Sequence, residues 1–272
     1  MIHLSIRGCL VSQNKVSTQS VVDYWNKRPC NINHSPLPIG TIEYFNEVEI
    51  RKYFVEPHIP EFVNFKAWRG KRVLEIGLGI GTDAVNFMRN GANYTGIEIS
   101  NESLNIAVKR FECYGLNGEF HLGDVENLAN LNLKGTFDLV YSFGVLHHTP
   151  DIEKSIEQIR NLCGPESTFK FMVYAKNSWK NALIEAGLEQ PEAQSGCPIA
   201  NTYTKNEIAD ICKKNGFEVK KIVQAHIFPY EIAPYKNYEY KKLPWFETMP
   251  DDIFEALEKS LGWHLLIDCT PI

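Results

Sequence analysis

The chain contains no C-x-x-C pair, no surplus of positive charge and no apolar run long enough to cross a bilayer. Each absence excludes something. Without paired cysteine motifs, the seven cysteines (Cys9, Cys30, Cys113, Cys163, Cys197, Cys212 and Cys269) are an odd, widely spaced set. This suits reduced thiols in a reducing compartment and predicts neither a disulfide framework nor a metal site. With 28 Lys and Arg against 33 Asp and Glu, the net charge of -5 offers no footprint for a nucleic-acid polyanion. The first 20 residues lack a sustained hydrophobic core and a cleavage pattern, so neither a membrane span nor a secretory signal is expected and the protein is placed in the cytoplasm. At 272 residues and 44% hydrophobic content, the chain can bury one large core carrying an appended cap.

What is present is concentrated in Arg72-Val73-Leu74-Glu75-Ile76-Gly77-Leu78-Gly79-Ile80-Gly81-Thr82, followed by Tyr94 to Ser100. Val73, Leu74 and Ile76 form a short apolar strand of the kind buried on both faces of a parallel sheet, and three alternate glycines then admit close backbone approach to a ligand. In open parallel sheets the ligand lies beyond the carboxyl ends of the strands, where an acid roughly 20 residues after the glycines holds ribose hydroxyls. Glu98 occupies that place. The spacing is G-x-G-x-G, not the G-x-G-x-x-G that brings a helix amino end onto a pyrophosphate, and Glu75 precedes the first glycine by two residues. An adenosine-type cofactor without phosphates is therefore favoured.

On these residues the sequence resembles the class I S-adenosylmethionine-dependent methyltransferases, and Glu75, Gly77, Gly79, Gly81 and Glu98 match that family's first two motifs. Two further segments extend the resemblance over about residues 70 to 175. Glu119 to Val125 resembles the third motif, which implies that Asp124 and the Val125 amide contact adenine. Phe137 to Asp151 resembles the fourth, which implies that Ser142, Phe143 and Gly144 line the amino-acid part of the cofactor and that His147 touches it. Thr82, as a helix cap, and Ile99 complete the expected cofactor set. The resemblance implies S-adenosyl-L-methionine as cofactor and a doubly wound α/β fold with a seven-stranded, mostly parallel sheet whose last strand inserts antiparallel between the fifth and sixth.

The order of elements predicts the same fold independently. Helices at 82–90, 101–114, 151–163 and 205–215 alternate with strands at 167–174, 217–223 and 263–268. Residues 1–69 are expected to form N-terminal cap helices and 70–272 the methyltransferase domain, with lid insertions at about 178–203 and 228–261. The last is dense in aromatics: Tyr235, Tyr238, Tyr240, Trp245 and Phe246 either line a substrate pocket or pack the cap onto the core.

Methyl transfer from an activated sulfonium requires an acceptor held in line and, for a hydroxyl or ammonium, a base. His148, just past the fourth strand, is the first candidate, with His226 and Tyr174 behind it. The leading expectation is a small organic acceptor methylated at oxygen. The alternatives are methylation of nitrogen, carbon or a protein side chain, or a catalytically silent S-adenosylmethionine-binding regulator.

Overall fold

The computed structural model describes residues 16–188, 190 and 196–272; the expectation for Cys9, residues 1–15 of the 1–69 segment and residues 189 and 191–195 of the 178–203 segment lie outside them. An eight-stranded sheet forms the centre, in the order β3 (Glu119–Leu122), β2 (Asn93–Glu98), β1 (Arg72–Ile76), β4 (Phe137–Phe143), β5 (Cys163–Ala175), β8 (His264–Pro271), β7 (Phe217–Ala225). The strands from β3 to β5 run parallel, and β8 lies antiparallel to both β5 and β7. The reversed strand is placed as expected. The eighth strand, β6 (Thr202–Tyr203), pairs with the end of β5 at Tyr174 and Ala175; two residues carry no period, so sequence alone does not show it.

Alternation along the strands sends neighbouring side chains to opposite faces. Leu74, Val140, Phe169 and Phe171 join the cluster under α6 (Ile152–Arg160) and α8 (Lys205–Lys214), through Ile156, Ile159, Ile208 and Cys212. Val73, Leu139 and Tyr141 face the other way, toward Ile59 of α3 (His58–Val63), Val85 and Phe87 of α4 (Thr82–Arg89) and Phe111 of α5 (Asn101–Cys113). The caps are local. Asp151 accepts from the Lys154 amide at 3.0 Å, and Thr204 with Glu207 forms a capping box at the start of α8. Thr82 does not cap α4. Gly81 does, in the left-handed conformation at φ 79°, and Thr82 Oγ1 instead accepts from the buried Arg110 guanidinium at 2.6 Å.

The N-terminal segment supplies α1 (Thr18–Lys27) and α2 (Ile42–Val55). Asn26 accepts from the Ser100 hydroxyl at 3.0 Å, which ties α1 to the loop after β2. Residues 228–261 fold into α9 (Ile232–Lys236), α10 (Pro244–Glu247) and α11 (Asp251–Leu261). Their tyrosines meet α2: the Arg51 guanidinium lies 4.1 Å from the Tyr235 ring centre and 4.5 Å from that of Tyr238, and it donates to the Tyr235 carbonyl at 2.7 Å. Of the two readings for Tyr235 and Tyr238, packing is the one these contacts describe.

No described helix is long and apolar enough to cross a membrane. None of the six described cysteines forms a disulfide.

Candidate active site

One cavity opens along the carboxyl ends of the parallel strands, where the strand-to-helix loops converge. Its floor is the loop after β1. Gly77 and Gly79 both have positive φ; a Cβ on Gly77 would lie 2.2 Å from Val145 Cγ2, whereas a Cβ on Gly79 would meet no protein atom within 4 Å. Gly79 therefore borders open cavity, and Gly77 lets the loop after β4 come close. The third glycine has another role. Gly81 does not line the cavity; its bare Cα lets α5 approach, since a Cβ there would sit 3.2 Å from Ala107 Cβ.

Glu98 ends β2 at the cavity wall, nearly buried. Its Oε2 accepts from the Gly79 amide at 2.8 Å, and Oε1 accepts from the Ile99 and Ser100 amides at 3.0 and 2.9 Å. Burial raises its pKa and these three amides oppose the rise. The carboxylate thus fixes the glycine loop while Oε2 retains a lone pair that a ribose hydroxyl could use. Glu75 lies deeper. It accepts from the Tyr94 hydroxyl at 2.7 Å, and burial, followed by the nearby Asp83, pushes its pKa up to about 8. Asp83 is held in turn by Lys52 at 2.7 Å, Tyr53 at 2.9 Å and Tyr141 at 2.9 Å. Asp124 accepts from the Glu126 amide and the Asn127 side chain at 2.9 and 2.8 Å, capping the turn after β3. Asp124, Val125 and Ile99 all border the cavity, as do Thr82, Phe143 and Gly144.

Besides Gly81, two further expected contacts are not brought to it. Ser142 is fully buried, and its hydroxyl donates to the Ile76 carbonyl at 3.1 Å, stapling β4 to β1. His147 is fully buried behind the wall, its ring centre 3.7 Å from that of Tyr174. The short 3₁₀ turn Leu146–His148 explains the split, because successive side chains on it point in different directions and only His148 reaches the cavity.

The three catalytic candidates His148, Tyr174 and His226 line the same cavity. His148 Nδ1 lies 2.5 Å from the Ile199 carbonyl; that oxygen can only accept, so Nδ1 carries the proton and Nε2 is the basic nitrogen. Nε2 is buried with no partner among the described residues. Burial pushes the His148 pKa down to about 4, against the Ile199 hydrogen bond. Trp25 of α1 meets the ring edge-on at 5.3 Å. Other wall residues carry no motif: Lys52 and Glu56 from the end of α2, Lys180 of α7 (Trp179–Glu185), and Trp263 and His264 at the start of β8. Only Glu56-Pro57-His58, two ionisable residues flanking a proline where one helix ends and the next begins, offered a sequence signal for this part of the site. No residue of 228–261 is among those lining the cavity.

A glycine loop bordering open cavity, a strand-end carboxylate beside it and a second acid in the turn after the next strand lie together on one edge of an α/β sheet. Comparison with known proteins gives the class. A family profile described as a methyltransferase domain matches residues 48–222, well over half the chain, so the chain belongs to that methyltransferase family. Its class is that of the S-adenosylmethionine-dependent methyltransferases. It is 31% identical over 120 residues to a ubiquinone biosynthesis O-methyltransferase of Chromobacterium violaceum, covering 44% of this chain and 51% of that one. A protein of the same name from Acinetobacter baylyi is 27% identical over 179 residues, covering 63% and 75%. The chain spans about half the length of several of the curated relatives it matches. The fold is shared with the magnesium protoporphyrin IX methyltransferase of Synechocystis with bound SAH, at TM-score 0.62 and 16% identity over 94% of this chain and all of that one. A possible histamine N-methyltransferase from Thermotoga maritima has TM-score 0.55 and 19% identity, covering 92% of this chain and 99% of that one.

Proposed function

We propose that the protein methylates an oxygen of a small organic acceptor enclosed in the cavity described above. The observation that carries this reading is continuity: one cavity joins Gly77, Gly79, Glu98 and Asp124 at one end to His148, Tyr174 and His226 at the other. The open space over Gly79 and the oriented Glu98 carboxylate fit an adenosyl group. When bound, S-adenosylmethionine supplies a methyl group that passes to the acceptor atom as the carbon–sulfur bond breaks and leaves its electron pair on sulfur.

In this reading Glu98 holds the ribose hydroxyls, Asp124 and Val125 the adenine, and Phe143 and Gly144 the amino-acid end. Residues 16–69 cover the mouth through Thr18, Val21 and Trp25, and the 178–203 segment closes it through Lys180. Such enclosure excludes water and orients the acceptor. His148 Nε2 takes the hydroxyl proton. A pKa near 4 keeps the ring neutral and able to accept at neutral pH, and a hydroxyl becomes strongly acidic as its oxygen gains the methyl, so a weak base suffices. Oxygen as the acceptor atom is supported by the O-methyltransferase names of the sequence relatives.

The test is incubation of purified protein with methyl-labelled cofactor and three acceptor sets: small hydroxyl compounds, small amines, and basic peptides. Label in a hydroxyl compound, with mass spectrometry locating it on oxygen, is the expected result. Turnover confined to amines or peptides would refute oxygen methylation, and failure to bind S-adenosylhomocysteine would refute the cofactor assignment.

A further inference from the structure

The acceptor end of the cavity holds a cluster that sulfonium chemistry does not require. Glu56 follows α2, His226 follows β7 and His264 opens β8, so residues far apart in sequence converge at one sheet edge. One donor atom from each lies within 4.8 Å of the other two, and this is the one group of three or more His, Cys, Asp or Glu side chains so placed among the described residues. All three are buried at 3–8% exposure, and all three line the cavity. The expectation of no metal rests on cysteine spacing and does not address these histidines.

The geometry suits a cation. His264 Nε2 lies 3.8 Å from Glu56 Oε1, close to the ~3.4 Å between two ligands of a tetrahedral ion with bonds of about 2.0–2.1 Å, and small side-chain rotations close the remainder. His264 Nδ1 lies 3.0 Å from His58 Nε2. With Nδ1 donating to His58, His264 turns the lone pair of Nε2 toward Glu56, the arrangement in which an outer partner fixes the tautomer of a ligating imidazole. His226 is held at φ 76°, outside the regions that a side-chain-bearing residue ordinarily adopts. Glu258 of α11 accepts from its amide at 3.0 Å and the Trp263 amide donates to its carbonyl at 2.8 Å, so both neighbours fix the strained residue beside the cluster. Two lysines share the wall. The charge of Lys52 is offset by Asp83 at 2.7 Å, and Lys180 lies 5.5 Å from the Trp263 ring centre.

We propose that Glu56, His226 and His264 form a binding site for one divalent first-row transition-metal ion of the zinc type, with His58 orienting His264. Two imidazoles and one carboxylate are a common ligand set for zinc and ferrous iron, and three protein ligands leave a coordination position open to the cavity. That position would hold the acceptor oxygen and make its hydroxyl more acidic. This role rests on the proposed function, whereas the site itself does not.

The test uses the whole chain, stripped with chelator, equilibrated with zinc or cobalt(II) and desalted. One zinc per chain is expected by elemental analysis, and cobalt is expected to give visible d–d bands of a four- or five-coordinate ion. His264→Ala and Glu56→Gln should each lower zinc retention at least tenfold; His226→Gln serves if either fails to fold. Circular dichroism and thermal denaturation on the same samples show whether each variant is folded, and S-adenosylhomocysteine binding is measured by calorimetry on the wild type. Folded wild-type protein that binds S-adenosylhomocysteine yet retains neither metal would overturn the site, as would variants that keep wild-type stoichiometry. Retained metal without S-adenosylhomocysteine binding would uphold the site and sink the cofactor reading instead.

Discussion

Replacing Glu98 with Gln separates charge from shape at the centre of the proposed cofactor site. Both carboxylate oxygens accept from backbone amides, Oε2 from Gly79 and Oε1 from Ile99 and Ser100. A glutamine in the same position must turn its NH₂ toward one of these donors, because no orientation offers two acceptors. One side of the group then loses its bonds and buries unsatisfied donors, a cost of about 1–3 kcal/mol to the folded loop. The ribose hydroxyls meanwhile lose a charged acceptor; a charge-assisted bond contributes about 1.5–3 kcal/mol. At about 1.4 kcal/mol per tenfold, S-adenosylhomocysteine affinity should fall roughly 10- to 150-fold. Calorimetry gives the affinity and thermal denaturation the stability. Glu98→Ala should weaken binding at least as much, since it removes both acceptors. If Glu98→Gln binds S-adenosylhomocysteine with unchanged affinity, Glu98 is a structural brace for the glycine loop and holds no ribose.

Gly79→Ala places a methyl in open cavity and keeps a left-handed residue at a cost of about 1–2 kcal/mol; the protein should fold, and its S-adenosylhomocysteine affinity should drop by more than tenfold, as calorimetry would show. His148→Gln keeps a hydrogen-bonding group without basicity, so turnover under chemistry-limited conditions should fall roughly 10²- to 10⁴-fold while cofactor affinity is retained; full turnover would make His148 structural. Glu75 titrates near 8 in the fold against an ordinary value of 4.5, so the folded state binds the extra proton and stability declines as pH rises from about 4.5 to about 8. Glu75→Gln, which still accepts from Tyr94, should flatten that decline in thermal melts at pH 5, 6, 7 and 8. His58 and His148 have the opposite sign. Both are held near 4, below the ordinary 6.5, so their contribution is complete above about 6.5 and is lost as pH falls toward 4; His148→Gln should reduce that acid-side loss.

The sheet was legible in the sequence because its signals are local. A run such as Val73-Leu74-Glu75-Ile76 states a strand buried on both faces, Asp151 marks a helix start, and motif order places strand-end acids on one edge. Glu98, Asp124 and Gly79 could be assigned to a common edge for that reason: in a parallel sheet every strand delivers its carboxyl end to the same side. The side-chain directions were not legible. Ser142 and His147 belong to the right motif yet face a carbonyl and an aromatic ring, because a strand end and a 3₁₀ turn decide orientation residue by residue. Gly81 matches its motif but serves helix packing, a fact contained in Ala107 and not in the glycine run. The aromatics of 228–261 were indistinguishable from a substrate lid until Arg51 was seen among Tyr235 and Tyr238. Least legible was the cluster of Glu56, His58, His226 and His264, which meet only through three loops and an antiparallel strand. Local sequence thus determined the fold and the cofactor edge, where chemistry is carried by backbone and spacing. Only the tertiary structure added Glu56 and His264 to the cavity wall that His148, Tyr174 and His226 share, because side chains such as His58 and His264 meet there across more than 200 residues of chain.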